Sequence, residues 1–275
     1  MKINLDSVQQ TLLIPLWSRA KLTQEDNPIL VDLKASDIVK KIQYDFSKID
    51  NYFPYFLHVM NLVRTKMFDS GIKEFLINHP KATIINLGAG LDTTFYRVDN
   101  GLLNWYDIDL PEVIKIRKKL IPETERLNYI EDSIFEMQWV KNITNTKEGL
   151  LFISNGVLEY FQETLVRKFL SDIANHFPES EIVFNTVRKN IISSFVNRRM
   201  MKKLGMKSAT TKWGIKDIEK IKQWDKRIVI LENYPLFSKI KRQKNWDENI
   251  IKAMNRFDKW KAITMVHLFF RFSRN

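Results

Sequence analysis

The chain has 275 residues, 44% of them hydrophobic and 28% charged, the balance of a soluble globular protein built as one ordinary domain or one domain with a cap. It has no cysteine, which excludes a disulfide framework, a thiolate nucleophile and cysteine-ligated metal centres. The formal net charge is +12; a lysine-rich solvated surface is the preferred reading, and attraction to nucleic acid, anionic lipid or an acidic substrate is the competing one.

Residues 1–78 read as helical. Ile38, Ile42, Phe46 and Ile49 recur at helical spacing, as do Phe56, Met60, Val63 and Met67, and His79-Pro80 ends the run. The first apolar run, from Thr11 to Trp17, is short and holds a proline, unlike a secretory signal. The apolar stretch 262–270 is too short to span a bilayer. The chain is therefore expected to be cytoplasmic, with no membrane insertion.

From residue 79 onward helix and strand alternate. Strands are expected at 83–87, 105–108, 127–130, 150–154, 181–187, 228–233 and 262–270, and helices at 111–120 and 162–176. Pro111 suits a first helical turn. This pattern predicts an α/β fold with a seven-stranded, mainly parallel sheet and helices on both faces. The expected domains are a helical N-terminal cap over 1–78 and a sheet domain over 79–275, with an inserted cap at about 189–222. Phe195 and Trp213 of that insert would fill its core or line a pocket, and core is the preferred reading.

The chemistry concentrates at strand ends. The first strand stops at Gly88-Ala89-Gly90, and the second ends in Tyr106-Asp107-Ile108-Asp109. A strand, a glycine turn and an acid at the neighbouring strand's tip make a nucleoside site, the carboxylate accepting from a ribose diol. Only two glycines are present and Thr93-Thr94 follow, which suits a cofactor without a pyrophosphate. Asp107 and Asp109 compete for the ribose; Asp109 is preferred because it lies nearer the carboxyl end of its strand.

Asp132-Ser133, after the third strand, are placed to touch a base, or form an ordinary turn. After the fourth strand, Asn155 could hold an ammonium or orient a substrate, and Glu159 could be a base or a first-turn carboxylate. Arg64 and Lys66 lie on the last helix before the sheet, where an arginine could grip a carboxylate. The four histidines lack metal-ligand spacing, and no nucleophile elbow or phosphate loop is present.

Asn86-Leu87-Gly88-Ala89-Gly90-Leu91-Asp92-Thr93 followed by Phe95-Tyr96-Arg97 resembles the first motif of the leucine carboxyl methyltransferase family, in its bacterial tetracenomycin-type polyketide O-methyltransferase branch. Residues 106–113, Ile121-Pro122-Glu123-Thr124 and the run from Gly156 to Phe161 also resemble that family. The resemblance implies a Rossmann-like class I methyltransferase fold that binds S-adenosyl-L-methionine and acts on a small-molecule methyl acceptor. It implies a cofactor set of Arg64, Gly88, Ala89, Gly90, Asp109, Leu110, Asp132, Ser133, Asn155 and Gly156. Asp109 would hold the ribose, Asp132-Ser133 would flank the adenine and Arg64 would reach a carboxylate. No metal is implied.

The acceptor group would be a carboxylate, which needs no base, or a hydroxyl, for which Glu159 and Tyr160 are the candidates. The chain departs from the family at Asn155, where a glutamate is usual. Two rival readings follow from these features. The charge suggests a nucleic-acid methyltransferase, but no Asn-Pro-Pro-Tyr loop follows the fourth strand. Asn155 suggests a non-catalytic cofactor-binding module.

Overall fold

A computed structural model of the chain describes residues 9–188, 202–204, 211–243 and 246–272. Seven strands, β1 (Thr83–Leu87), β2 (Asn104–Asp109), β3 (Leu127–Glu131), β4 (Leu150–Ser154), β5 (Glu181–Val187), β6 (Ile228–Pro235) and β7 (Ile263–Phe270), form one sheet in the order β3-β2-β1-β4-β5-β7-β6. The pairs from β3 through β5 are parallel, and β7 runs antiparallel to both neighbours. The mainly parallel sheet read from the alternation is thus present, with one reversed strand.

β1 reads Thr-Ile-Ile-Asn-Leu because both of its faces are covered. Ile84 belongs to one core with Leu151, Ile153 and Val183, and Ile85 belongs to the other with Phe152, Ile182 and Phe184. The first core is closed by α1 (Leu13–Leu22), α2 (Leu33–Lys41), α3 (Ser47–Tyr52) and α4 (Tyr55–Asn78). The short α5 (Thr94–Val98), α6 (Pro111–Leu120) and α8 (Glu248–Lys259) pack on the same side. The second core is closed by α7 (Glu163–His176), which presents Val166, Phe169, Leu170 and Ile173 at helical spacing. The helical run read over Ile38 to Ile49 is broken at Ile42, whose extended backbone separates α2 from α3.

The strand order has a switch point between β1 and β4. From β1 the chain proceeds outward to β2 and β3, then returns to start β4 on the other side. The loops after β1 and β4 therefore diverge and leave a crevice at the carboxyl ends of the strands, where open α/β sheets bind ligands.

Most of the expected insert at about 189–222, Phe195 included, lies outside the described residues. Trp213 is 1% exposed and packs on Phe184 and Trp224, with ring centroids 6.1 and 6.0 Å apart. It fills the second core. Among the described residues no helix is long and apolar enough to cross a membrane.

His58 joins α4 to α1. Ser18 Oγ donates to the Ile14 carbonyl at 2.8 Å, so it accepts from His58 Nδ1, also at 2.8 Å. Burial, then the Lys21 charge, push the imidazole down from about 6.5 to about 4, against the pull of Asp50. The unfolded chain takes up a proton in that window and the folded chain does not. Stability is therefore expected to fall by about 3 kcal/mol as pH drops from 6.5 to 4. Urea titrations at pH 7 and 4.5 on the parent and His58→Gln measure this: the variant should lose less between the two, and an equal loss refutes the assignment.

Candidate active site

The loop after β1 turns through Gly88 and Gly90 with φ of 69° and 50°, and the loop after β4 turns through Gly156 with φ of 75°. These left-handed values favour glycine. A Cβ on Gly88 would sit 2.6 Å from Val157 Cγ2, and one on Gly90 would sit 2.9 Å from Leu12 Cδ2. The bare backbone thus lets the β4 loop and the N-terminal segment close against the turn.

A cavity of about 530 Å³, a size typical of small-molecule sites, is lined by the turn together with Leu12 and Val157. It brings together Arg64 from α4, Gly88, Ala89, Gly90 and Asp92 after β1, Asp109 and Leu110 at the tip of β2, and Asn155, Gly156 and Tyr160 after β4. Nine of the residues expected from the sequence meet there. Asp132, Ser133 and Glu159 are not on its wall. Nor is Lys66, which turns away and donates to the Ile29 carbonyl at 2.9 Å.

Asp107 and Asp109 have separate surroundings. Asp107 is 0% exposed and is used up by the fold. It accepts from Arg117 Nε at 2.9 Å, from Asn86 Nδ2 at 2.8 Å and from Trp105 Nε1 at 2.8 Å. Asp109 accepts from the backbone N–H of Gly90 at 2.7 Å and of Leu110 at 2.8 Å, which aims its carboxylate at the cavity. Burial raises its pKa, opposed by those two N–H groups.

The Asp132 N–H donates to the Asp109 carbonyl at 3.0 Å, so a backbone hydrogen bond holds the Asp132-Ser133 turn to the β2 tip. Within it the Asp132 carboxylate accepts from its neighbour, the Ser133 N–H, at 2.7 Å.

Glu159 lies beneath the β4 loop. Asn185 Nδ2 donates to its carboxylate at 3.3 Å, and Asn185 Oδ1 accepts from the Gly156 N–H at 2.7 Å. Burial raises the Glu159 pKa against the pull of Arg64. Tyr160 is 37% exposed on the wall. Desolvation, then the Glu159 charge, push its phenol up to about 12. The phenol therefore stays protonated at neutral pH.

Three cavity-lining residues carry buried polar atoms with no partner among the described residues: Arg64 Nε, Asp92 Oδ1 and Asn155 Oδ1. Buried polar atoms are normally paired. One cationic donor and two acceptors, one anionic, are what a zwitterionic amino-acid group needs. With Asp109 at the ribose position, the residues fit S-adenosylmethionine.

Sequence reasoning missed the N-terminal wall. Thr11, Leu12, Pro15 and Arg19 close the cavity from α1 and the turn before it. Arg19 donates to Asp32 at 2.9 Å and to the Leu91 carbonyl at 2.8 Å, tying α1 to the β1 loop. Asp32 also accepts from Arg97 at 2.6 Å, and Arg97 pairs with Asp69 at 2.7 Å. Asn185, which supports the β4 loop, was missed as well. Neither residue has a local signal, because each acts through elements distant in sequence.

Residues 13–174 match the leucine carboxyl methyltransferase family. The tetracenomycin polyketide synthesis O-methyltransferase TcmP of Streptomyces glaucescens is 29% identical over 216 residues, covering 78% of this chain and 77% of that protein. The S-adenosyl-L-methionine-dependent methyltransferase dpfgK of Gibberella zeae is 31% identical over 195 residues, covering 66% and 65%. The crystal structure of a DUF574 family protein from Streptomyces avermitilis superposes with a TM-score of 0.60 at 10% identity, over 95% of this chain and 97% of that one.

Proposed function

The chain belongs to the leucine carboxyl methyltransferase family, and on that premise we propose that it is an O-methyltransferase acting on a small molecule at the crevice between β1 and β4. It is a methyltransferase dependent on S-adenosylmethionine. When bound, that cofactor supplies a methyl group made electrophilic by its sulfonium.

The observation that carries the site assignment is the set of unpartnered atoms on the cavity wall beside Asp109. Asp109 would accept from the ribose hydroxyls. Gly88, Ala89 and Gly90 would pass beneath the amino-acid end. Arg64 would hold the carboxylate, and Asn155, beside Gly156, would accept from the ammonium through its amide oxygen. Leu110, on the wall, would flank the adenine, with the Asp132-Ser133 turn, off the wall but hydrogen-bonded to the β2 tip, behind it. What the protein contributes to the rate is positioning and exclusion of water.

The walls favour an acceptor that arrives ionised. Tyr160 is a donor at neutral pH, and Glu159 is off the wall and bonded to Asn185. Neither is placed to take a proton from a hydroxyl, so a carboxylic acid, which needs no base, suits the site better. TcmP is named for O-methylation in polyketide synthesis, which makes aromatic polyketide-like acids the first acceptors to try.

The test has two parts. Calorimetry with S-adenosylhomocysteine should show binding. Tritiated methyl transfer to a panel of aromatic carboxylic acids and phenols should then favour the acids. Absence of binding at millimolar nucleoside would remove the reading, and transfer to phenols alone would remove the carboxylate preference.

A further inference from the structure

We propose that Asp92 supplies the counter-charge for the ammonium group of the methyl donor, with Asn155 as a neutral second acceptor. The inference rests on the cofactor reading above and adds to it the residue that carries the charge.

Asp92 is fixed by one oxygen only. Its Oδ2 accepts from the Thr94 N–H at 3.1 Å and from Asn86 Nδ2 at 3.4 Å. Its Oδ1 is buried with no partner, on a residue of the cavity wall. A buried carboxylate oxygen left unpaired is costly, and a cationic donor from a ligand relieves that cost. Burial opposes ionisation of Asp92, but Arg19, then Arg97, the Thr94 contact and Arg117 outweigh it and hold the carboxyl below its ordinary range.

The other two anions on the wall are otherwise placed. Asp109, whose two oxygens each accept from a backbone N–H, is assigned to the ribose hydroxyls, and Glu112 is exposed on the first turn of α6. Asn155 has a free amide oxygen but no charge. An ammonium entering this cavity therefore meets one fixed, ionised carboxylate oxygen that no described residue bonds.

The competing role for Asp92 is structural, since it anchors the start of α5 through Thr94. Calorimetry with three ligands separates the two: S-adenosylhomocysteine, its analogue lacking the α-amino group, and 5′-methylthioadenosine, which lacks the amino-acid end. The parent protein should prefer S-adenosylhomocysteine over the deaminated analogue by about 10- to 100-fold, the value of one charge-assisted hydrogen bond. Asp92→Asn should bind methylthioadenosine within about 2-fold of the parent and lose most of that preference, whereas Asn155→Leu should lose less.

A variant that keeps the full preference, or that loses methylthioadenosine as severely as S-adenosylhomocysteine, overturns the proposal. The parent alone overturns it, whatever the variants do, by failing to distinguish the two homocysteine ligands. Failure of the parent to bind any of the three instead rejects the cofactor reading beneath it.

Discussion

Replacing Asp109 with asparagine is expected to weaken S-adenosylhomocysteine binding by about 100-fold or more, because two charge-assisted hydrogen bonds to a diol are lost. The effect on the fold should be much smaller. Asparagine keeps the shape and one acceptor oxygen, so one of the two N–H donors from Gly90 and Leu110 is still satisfied. The other faces an amide NH2, which costs about 1–2 kcal/mol and a few degrees in Tm. Calorimetry and a thermal melt on the same sample decide the matter. Parent-like affinity in a folded variant would take the ribose away from Asp109.

Asp107→Ala should show the reverse. Among the described residues its carboxylate is the sole anion bonded to the Arg117 guanidinium, and both side chains are sealed from solvent. Removing one partner of such a pair strands the other charge, at a cost of about 3–5 kcal/mol. For a chain of this size that corresponds to a drop of about 10 °C in Tm. The corner itself would loosen, since Arg117 also donates to the carbonyls of Gly90 and Asp92, at 3.1 and 2.7 Å. The fraction that remains folded should still bind ligand at low temperature. A melt unchanged from the parent would refute the structural role. A stable Asp107→Ala protein that does not bind would mean that the two aspartates have been assigned the wrong way round.

These two residues also show where the sequence stops being informative. Alternation along β2 places Asp107 and Asp109 on the same side and cannot separate them. What separates them is Arg117, ten residues on, which α6 swings back under the sheet to reach Asp107. Such contacts depend on how elements pack, and no local pattern reports packing. The same limit explains Arg19 and Asn185.

The elements themselves were legible for a physical reason. Central parallel strands are covered on both faces, so β4 appears as a short apolar run and β1 as a mainly apolar one broken by Asn86. Pro111 marks the start of α6 at its first residue. The break deceived because apolar residues keep helical spacing across residues 42–46, which separate the two helices. The reversed direction of β7 was hidden because an apolar strand reads alike in both senses.

Strand β7 inserts between β5 and β6 although both precede it in the chain. During synthesis the ribosome delivers every strand that borders the cofactor crevice by Val187, and the strand that seals the sheet begins only at Ile263. A nascent chain therefore holds every strand that borders the crevice before it holds a complete sheet. Until Ile263 emerges, the outer edge of β5 offers its free N–H and C=O groups to any passing strand. Chains interrupted in that interval are the ones most prone to aggregate.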